Sequence, residues 1–195
     1  MYINKQKASS NRWAFFYFRE MNLEALKYPI GPLRLPEEIS KEQVDEAIKV
    51  LQIFPEQLKQ LTYNLKDEVL DTPYRPEGWT IRQLIHHISD SHHHSYNRFR
   101  WTLTEDNPRI KAYDQDAFGA MDDYKQAPIA WSMAHIEAVH QKLVYILEGL
   151  SEEQWERTFI HPEGDKQINL KQLALTYSWH SMHHFSHIKN ALDRL

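Results

Sequence analysis

The residues best equipped for chemistry are histidines, and they are not evenly spread. Of twelve in the chain, four fall in the stretch Trp179-His180-Ser181-Met182-His183-His184-Phe185-Ser186-His187, and five more lie between His86 and His94. On an α-helix, residues four apart stand one above the other, about 6 Å apart. His180 with His184, and His183 with His187, are two such pairs, pointing to partly different faces. Either pair can offer two imidazoles to a divalent metal, and the other histidine run is the natural source of a third ligand. Within that run His87, Ser91, His94 and Arg98 form one polar stripe, and His86, His93 and Asn97 a neighbouring one. Spacing favours His87 or His94 over His92 as the inward-facing ligand and does not choose between those two. His92 and His93 are expected to be solvated or packed at a subunit contact.

The composition narrows the chemistry further. The chain has 195 residues and no cysteine, which excludes disulfides, thiolate ligands and a cysteine nucleophile. Any thiol in the reaction must arrive as a small molecule. A net charge of −4 gives no electrostatic footprint for nucleic acid. No apolar run reaches the eighteen or so residues of a membrane-spanning helix. Only five glycines in a chain that is 42% hydrophobic favour packed helices over glycine-rich phosphate loops.

The elements that must position these histidines can be read from caps and periodicity. Ser40-Lys41-Glu42-Gln43 is a capping box, and Val44, Ile48, Leu51, Leu58, Leu61 and Leu65 follow at helical spacing. Pro55 falls inside that run and should kink or divide it. Thr80-Ile81-Arg82-Gln83 opens a second helix to about Thr104, ended by Asn107-Pro108. Residues 105–127 form a long connection with a short helix near Asp114–Phe118, of a length that often covers a site. Pro128 starts a third helix that Gly149 stops. Ser151 caps a short segment holding Trp155, and His161-Pro162-Glu163-Gly164 is a turn. Asn169 caps the fourth helix, Leu170 to about Arg194. The expected fold is all-α, a four-helix bundle with short extra helices in the connections. Residues 1–20 stand apart, with Lys5, Lys7, Arg12 and Arg19 against Glu20 alone. They read as an N-terminal extension, and Met21 as a plausible true start. Residues 21–195 read as a single domain.

From Tyr28 to the C-terminus the chain resembles the DinB-like superfamily and, within it, the YfiT-like group of metal-dependent hydrolases, with its bacillithiol-transferase-like members. The resemblance is carried by Tyr28-Pro29-Ile30-Gly31, Asp71-Thr72-Pro73-Tyr74-Arg75, Gly78-Trp79-Thr80-Ile81-Arg82-Gln83, His86-His87-Ile88-Ser89-Asp90-Ser91-His92, His161-Pro162 and the histidine stretch from Trp179 to Ile188. It implies one metal held by His87, His180 and His184, together with a homodimeric, cytoplasmic protein. Three neutral imidazoles suit Zn²⁺ first, with Ni²⁺ or Fe²⁺ as alternatives, and leave an open coordination position. The implied activity is hydrolysis of a small molecule, a label inherited partly by analogy. The resemblance equally allows transfer of a low-molecular-weight thiol such as bacillithiol to an electrophile. A non-catalytic, stress-linked metal-binding module is the third reading. No nucleic-acid or membrane partner is expected. Asp90, His94 and Arg98 are further candidates, Asp90 to orient a ligand or accept a proton, His94 and Arg98 to contact an anionic substrate. His183 and His187 read as supporting, cavity-lining or surface residues, and the aromatics Trp79, Tyr96, Phe99, Trp101, Tyr177 and Trp179 as core.

Overall fold

In the computed structural model, which describes residues 23–195, four long helices account for most of the chain. They are α1 (Lys41–Leu61), α2 (Ile81–Thr104), α3 (Ile129–Glu148) and α4 (Leu170–Leu192). Three of them open on reciprocal capping boxes. Ser40 accepts from the Gln43 N–H, Thr80 from that of Gln83 and Asn169 from that of Gln172, and each glutamine side chain accepts from the cap's own N–H. A cap of this kind stabilises its helix by about 1 kcal/mol. The third helix instead begins directly after Pro128, which holds its N-cap position without a side-chain cap, and ends at Gly149. Residues 1–20 and Met21 lie outside the described residues.

Around the bundle the helices follow the order α1, α3, α2, α4, with α4 closing back on α1. Helices consecutive in sequence, α1 with α2 and α3 with α4, therefore face each other diagonally. Their connections, 62–80 and 149–169, must cross the ends of the bundle, whereas the longer connection 105–128 joins the neighbours α2 and α3. Pro55 does not divide α1, which runs unbroken from Lys41 to Leu61. Its missing N–H leaves the Leu51 carbonyl without its usual partner, and His140 Nδ1 lies 2.6 Å from that oxygen.

The core has two apolar halves. One packs Leu51, Tyr96, Phe99, Leu143, Leu147, Phe159 and Tyr177, and the other packs Phe54, Leu58, Ile81, Leu84, Ile85, Ile88, Ile136 and Ile188. Each fully buried aliphatic or aromatic side chain stabilises the fold by about 1.5–3 kcal/mol. Between the halves runs a layer of buried histidines. His92 is 0% exposed and His140 1%.

The connections hold more structure than the sequence implies. Short helices span Asp67–Leu70, Gln115–Gly119, Asp122–Gln126 and Glu152–Trp155. The expected turn at His161–Gly164 is the reversal of an antiparallel hairpin that was not expected, β1 (Thr158–His161) and β2 (Lys166–Asn169), with Phe159 opposite Ile168. Gly164, at φ 74°, and Asp165, at φ 50°, make its tight reversal. Arg82 ties the start of α2 to its surroundings. Its guanidinium donates to Asp71 Oδ1 at 2.8 Å, Asp67 Oδ1 at 2.7 Å and the Ala127 carbonyl at 3.3 Å. Among the described residues no helix is long and apolar enough to cross a membrane.

Candidate metal centre

His87 comes from α2, and His180 and His184 from successive turns of α4. One ring nitrogen of each lies within 4.8 Å of one from each of the other two. His87 Nε2 and His180 Nε2 are 3.2 Å apart. Two nitrogens bound at 2.0–2.1 Å to a tetrahedral ion stand about 3.3 Å apart, so the pair is already at ligand spacing. The outward nitrogens have partners of their own. His87 Nδ1 faces the Tyr113 hydroxyl at 3.5 Å, His180 Nδ1 faces His92 Nε2 at 3.1 Å, and His184 Nδ1 faces His187 Nδ1 at 3.3 Å. Metal-binding histidines characteristically anchor the second nitrogen in this way. The residues present therefore fit a divalent ion.

Burial reinforces the fit. It pushes the His87 imidazole down to about 4, and it holds His180 and His184 well below the ordinary histidine range. All three are neutral at pH 7, the form in which imidazole ligates metal.

The site opens on a cavity of about 540 Å³ lined by Tyr28, Tyr74, Trp79 and Trp179, with Lys27, Arg75, Glu77 and Asp116 contributing charge. That volume suits a small molecule. Trp79 packs on the His87 ring at 4.9 Å, so an aromatic expected as core also walls the site. The connection 105–127 covers one side. Its Tyr113 reaches His87, its Gln115 and Asp116 line the cavity, and Gln83 Nε2 donates to the Gly119 carbonyl at 2.8 Å. A larger hollow of about 640 Å³ between α1 and α3 holds, among the described residues, no cluster of metal-ligating groups.

His183, His184 and His187 form a second close group. Neighbouring positions on one helix diverge by about 100°, which makes 183 and 184 poor co-ligands. His187 Nε2 donates to the Lys27 carbonyl at 3.0 Å, and the His183 ring stacks on Trp179 at 4.3 Å. We therefore read His187 as support for His184 and His183 as part of the cavity wall.

The remaining candidates lie apart from the three-histidine cluster. Asp90 accepts from the Tyr124 hydroxyl at 2.6 Å. His94 stacks on Tyr113 at 4.4 Å, and Arg98 Nη1 donates to the Tyr177 hydroxyl at 3.3 Å. His93 is exposed, as expected, beside His135. His92 is not solvated. It is fully buried between His140 and His180, and the expectation of a solvent or subunit position is corrected. The signal was present in the spacing. Ile88, His92, Ser95 and Phe99 recur at steps of four, three and four, which puts His92 on the buried stripe of α2. His140 was not singled out at all, although Ile136, His140, Leu143 and Leu147 have the same spacing.

A four-helix bundle with a three-histidine cavity between its second and last helices defines a recognisable class. The DinB superfamily profile matches residues 51–188, and the chain belongs to that family. It is 42% identical to YfiT of Bacillus subtilis (strain 168) over 87% of this chain and 96% of that protein. A Bacillus pumilus (strain SAFR-032) relative is 41% identical over 88% of this chain and 98% of its own length. The solved structure of Bacillus subtilis YfiT, described as a probable metal-dependent hydrolase with an unusual four-helix bundle topology, superposes with a TM-score of 0.85, covering 87% of this chain and 97% of that one. The diagonal placement of consecutive helices is of a piece with that description. The crystal structure of a mycothiol-dependent maleylpyruvate isomerase matches with a TM-score of 0.55 at 14% identity, over 72% of this chain and 60% of that one, and shares the fold alone.

Proposed function

We propose that this protein is a metal-dependent hydrolase of a small molecule, with His87, His180 and His184 holding one divalent ion, Zn²⁺ by preference. The observation that carries the reading is the convergence of three neutral, outwardly anchored imidazoles on a cavity of about 540 Å³. The names of its relatives support it. A divalent ion held there supplies Lewis acidity, the means of activating a water or a thiol at neutral pH. The chain's own residues do the rest. Trp79 and Tyr113 shield the His87 face from solvent, Tyr28, Tyr74 and Trp179 give the substrate apolar walls, and Arg75 and Lys27 offer positive charge near the mouth.

Transfer of a low-molecular-weight thiol is the second reading. It is favoured by the open cavity and by a chain without cysteine, since the thiol must then come from outside. We also expect two copies to pair, and Trp131 and Tyr145, 69% and 82% exposed on α3, are available for that contact.

Metal content by mass spectrometry on tag-free protein tests the centre. About one ion per chain is expected in the wild type, and loss of the ion in His87→Ala, His180→Ala and His184→Ala with helicity intact. A tag-free protein that neither carries nor takes up zinc overturns the reading. Turnover of an electrophile in water alone, against water plus thiol, then separates the two activities. Consumption only with thiol present refutes hydrolysis.

A further inference from the structure

In α1 the Leu51 carbonyl would ordinarily accept from the N–H four residues on, but that residue is Pro55, which has none. The oxygen lies instead 2.6 Å from His140 Nδ1. A carbonyl can only accept, so His140 carries its proton on Nδ1, and the neutral ring presents Nε2 as a lone pair. His140 Nε2 is 2.9 Å from His92 Nδ1, which must therefore be the donor. His92 Nε2 is then bare, and it lies 3.1 Å from His180 Nδ1, which donates in turn. Each ring inherits its tautomer from the one before. At the end of the chain stands His180 Nε2, without a proton, on the cavity side.

We propose that the Leu51 carbonyl, released by Pro55 and acting through His140 and His92, fixes His180 in the Nδ1–H tautomer and so dedicates its Nε2 to the metal. This rests on the reading of His180 as a ligand, and it makes His92 and His140 positioning residues of the centre. The geometry supports a directed chain. The His92 and His140 rings are inclined by only 20°, with their facing nitrogens 2.9 Å apart. Phe54 packs on both rings, at 5.8 and 5.4 Å. Reversing the His140 or His92 ring would set N–H against N–H, or lone pair against lone pair, at side chains only 1% and 0% exposed. The chain takes one residue from each helix in the order of the bundle, α1, α3, α2, α4, so the packing of all four helices bears on one ligand atom. It ends on a carbonyl, a poor proton acceptor, and so it orients His180 without exporting a proton. A shorter chain treats His184 alike. The Lys27 carbonyl accepts from His187 Nε2, whose Nδ1 can then only accept from His184 Nδ1.

Long-range ¹⁵N–¹H correlation spectra of metal-free, histidine-labelled protein read each tautomer directly. His140, His92 and His180 are all expected as Nδ1–H, with an unprotonated Nε2. In His140→Phe the His92 donor loses its acceptor. The His92 and His180 resonances are then expected to move to averaged values, and zinc affinity, measured by chelator competition, to fall on the order of 10- to 100-fold. A space-filling role for His140 would leave the His180 tautomer unmoved. An Nε2–H form of any of the three rings in the wild type overturns the proposal, and so does a folded His140→Phe with unchanged His180 tautomer and zinc affinity. The wild-type tautomers decide the matter even if the variant does not fold. They are read without metal, so failure of the chain and failure of the metal centre are distinguishable.

Discussion

Removing the metal and lowering the pH should unfold this protein in a window that belongs to histidine. His87 and His140 are 3% and 1% exposed, and burial pushes both imidazoles down to about 4. In the unfolded chain they return to about 6.5. Between these two values the unfolded state binds more protons than the folded one, so stability rises with pH. The contribution is fully present above about 6.5 and is lost as pH falls towards 4. Each group changes stability by about 1.4 kcal/mol per pH unit within the window, so the two together remove about 4 kcal/mol by pH 5. A domain of this kind has about 5–15 kcal/mol in all. His92, His180 and His184 are lowered further by burial, and His183 and His187 are lowered as well, all in the same direction. Urea unfolding of chelator-treated protein from pH 8 to pH 5 gives the measurement. The midpoint should be level above pH 7 and fall steeply below 6.5. Zinc should raise it at pH 7 and lose that effect on acidification, because protons compete for the same nitrogens. A midpoint unchanged between pH 7 and pH 5 would refute the premise that the buried imidazoles are held neutral by the fold.

Two further substitutions test how the site is held in place. Arg82→Lys replaces a fork that reaches Asp71, Asp67 and the Ala127 carbonyl with a single ammonium. It should cost about 1.5–3 kcal/mol in thermal or denaturant unfolding, towards the lower value because Asp67 and Asp71 are already 81% and 53% exposed. An unchanged melting temperature would show that the guanidinium anchors nothing. At Gly119 a β-carbon would sit 3.1 Å from Trp79 Cε2. Gly119→Ala should therefore displace the indole by a few tenths of an ångström and shift its Nε1–H resonance. An unmoved Trp79 resonance would show that the connection 105–127 does not press on the site.

The bundle was legible because its boundaries are written in local chemistry. Ser40, Thr80 and Asn169 are each followed three residues later by glutamine, and the structure makes a reciprocal cap at every one of them. The hairpin was not legible, since Thr158–His161 is too short for a period-two pattern to stand out. Its Ile160 also bonds outside the hairpin, to Pro108 and Ile110 of the distant connection. Within the site, spacing narrowed the ligands on α4 to two pairs, and the resemblance singled out His87 on α2. What spacing obscured was the opposite case, histidine used as a core residue. A polar residue on an apolar stripe looks like an interruption until its partner is known, and the partners of His92 and His140 lie on other helices. Pro55 misled for a related reason. It was expected to kink or divide the helix; the helix is not divided, and a further consequence is a freed carbonyl that an imidazole from α3 occupies.

The groups that meet the outward nitrogens of the three histidines are all uncharged. Tyr113, His92 and His187 meet the outward nitrogens, and the carbonyls of Leu51 and Lys27 stand behind the latter two. Among the described residues no carboxylate bonds to His87, His180 or His184. A carboxylate in any of these places would have oriented its ring equally well, while partly cancelling the charge of a bound cation. Neutral supports leave that charge whole, in a buried setting where an uncompensated charge is costly. An ion held there would keep its positive charge and could supply Lewis acidity to a water or to a thiol alike. Hydrolysis and thiol transfer thus make the same demand on the histidines. What separates them must lie in the cavity beyond, where Arg75, Lys27 and the aromatic walls meet whatever brings the nucleophile or receives it.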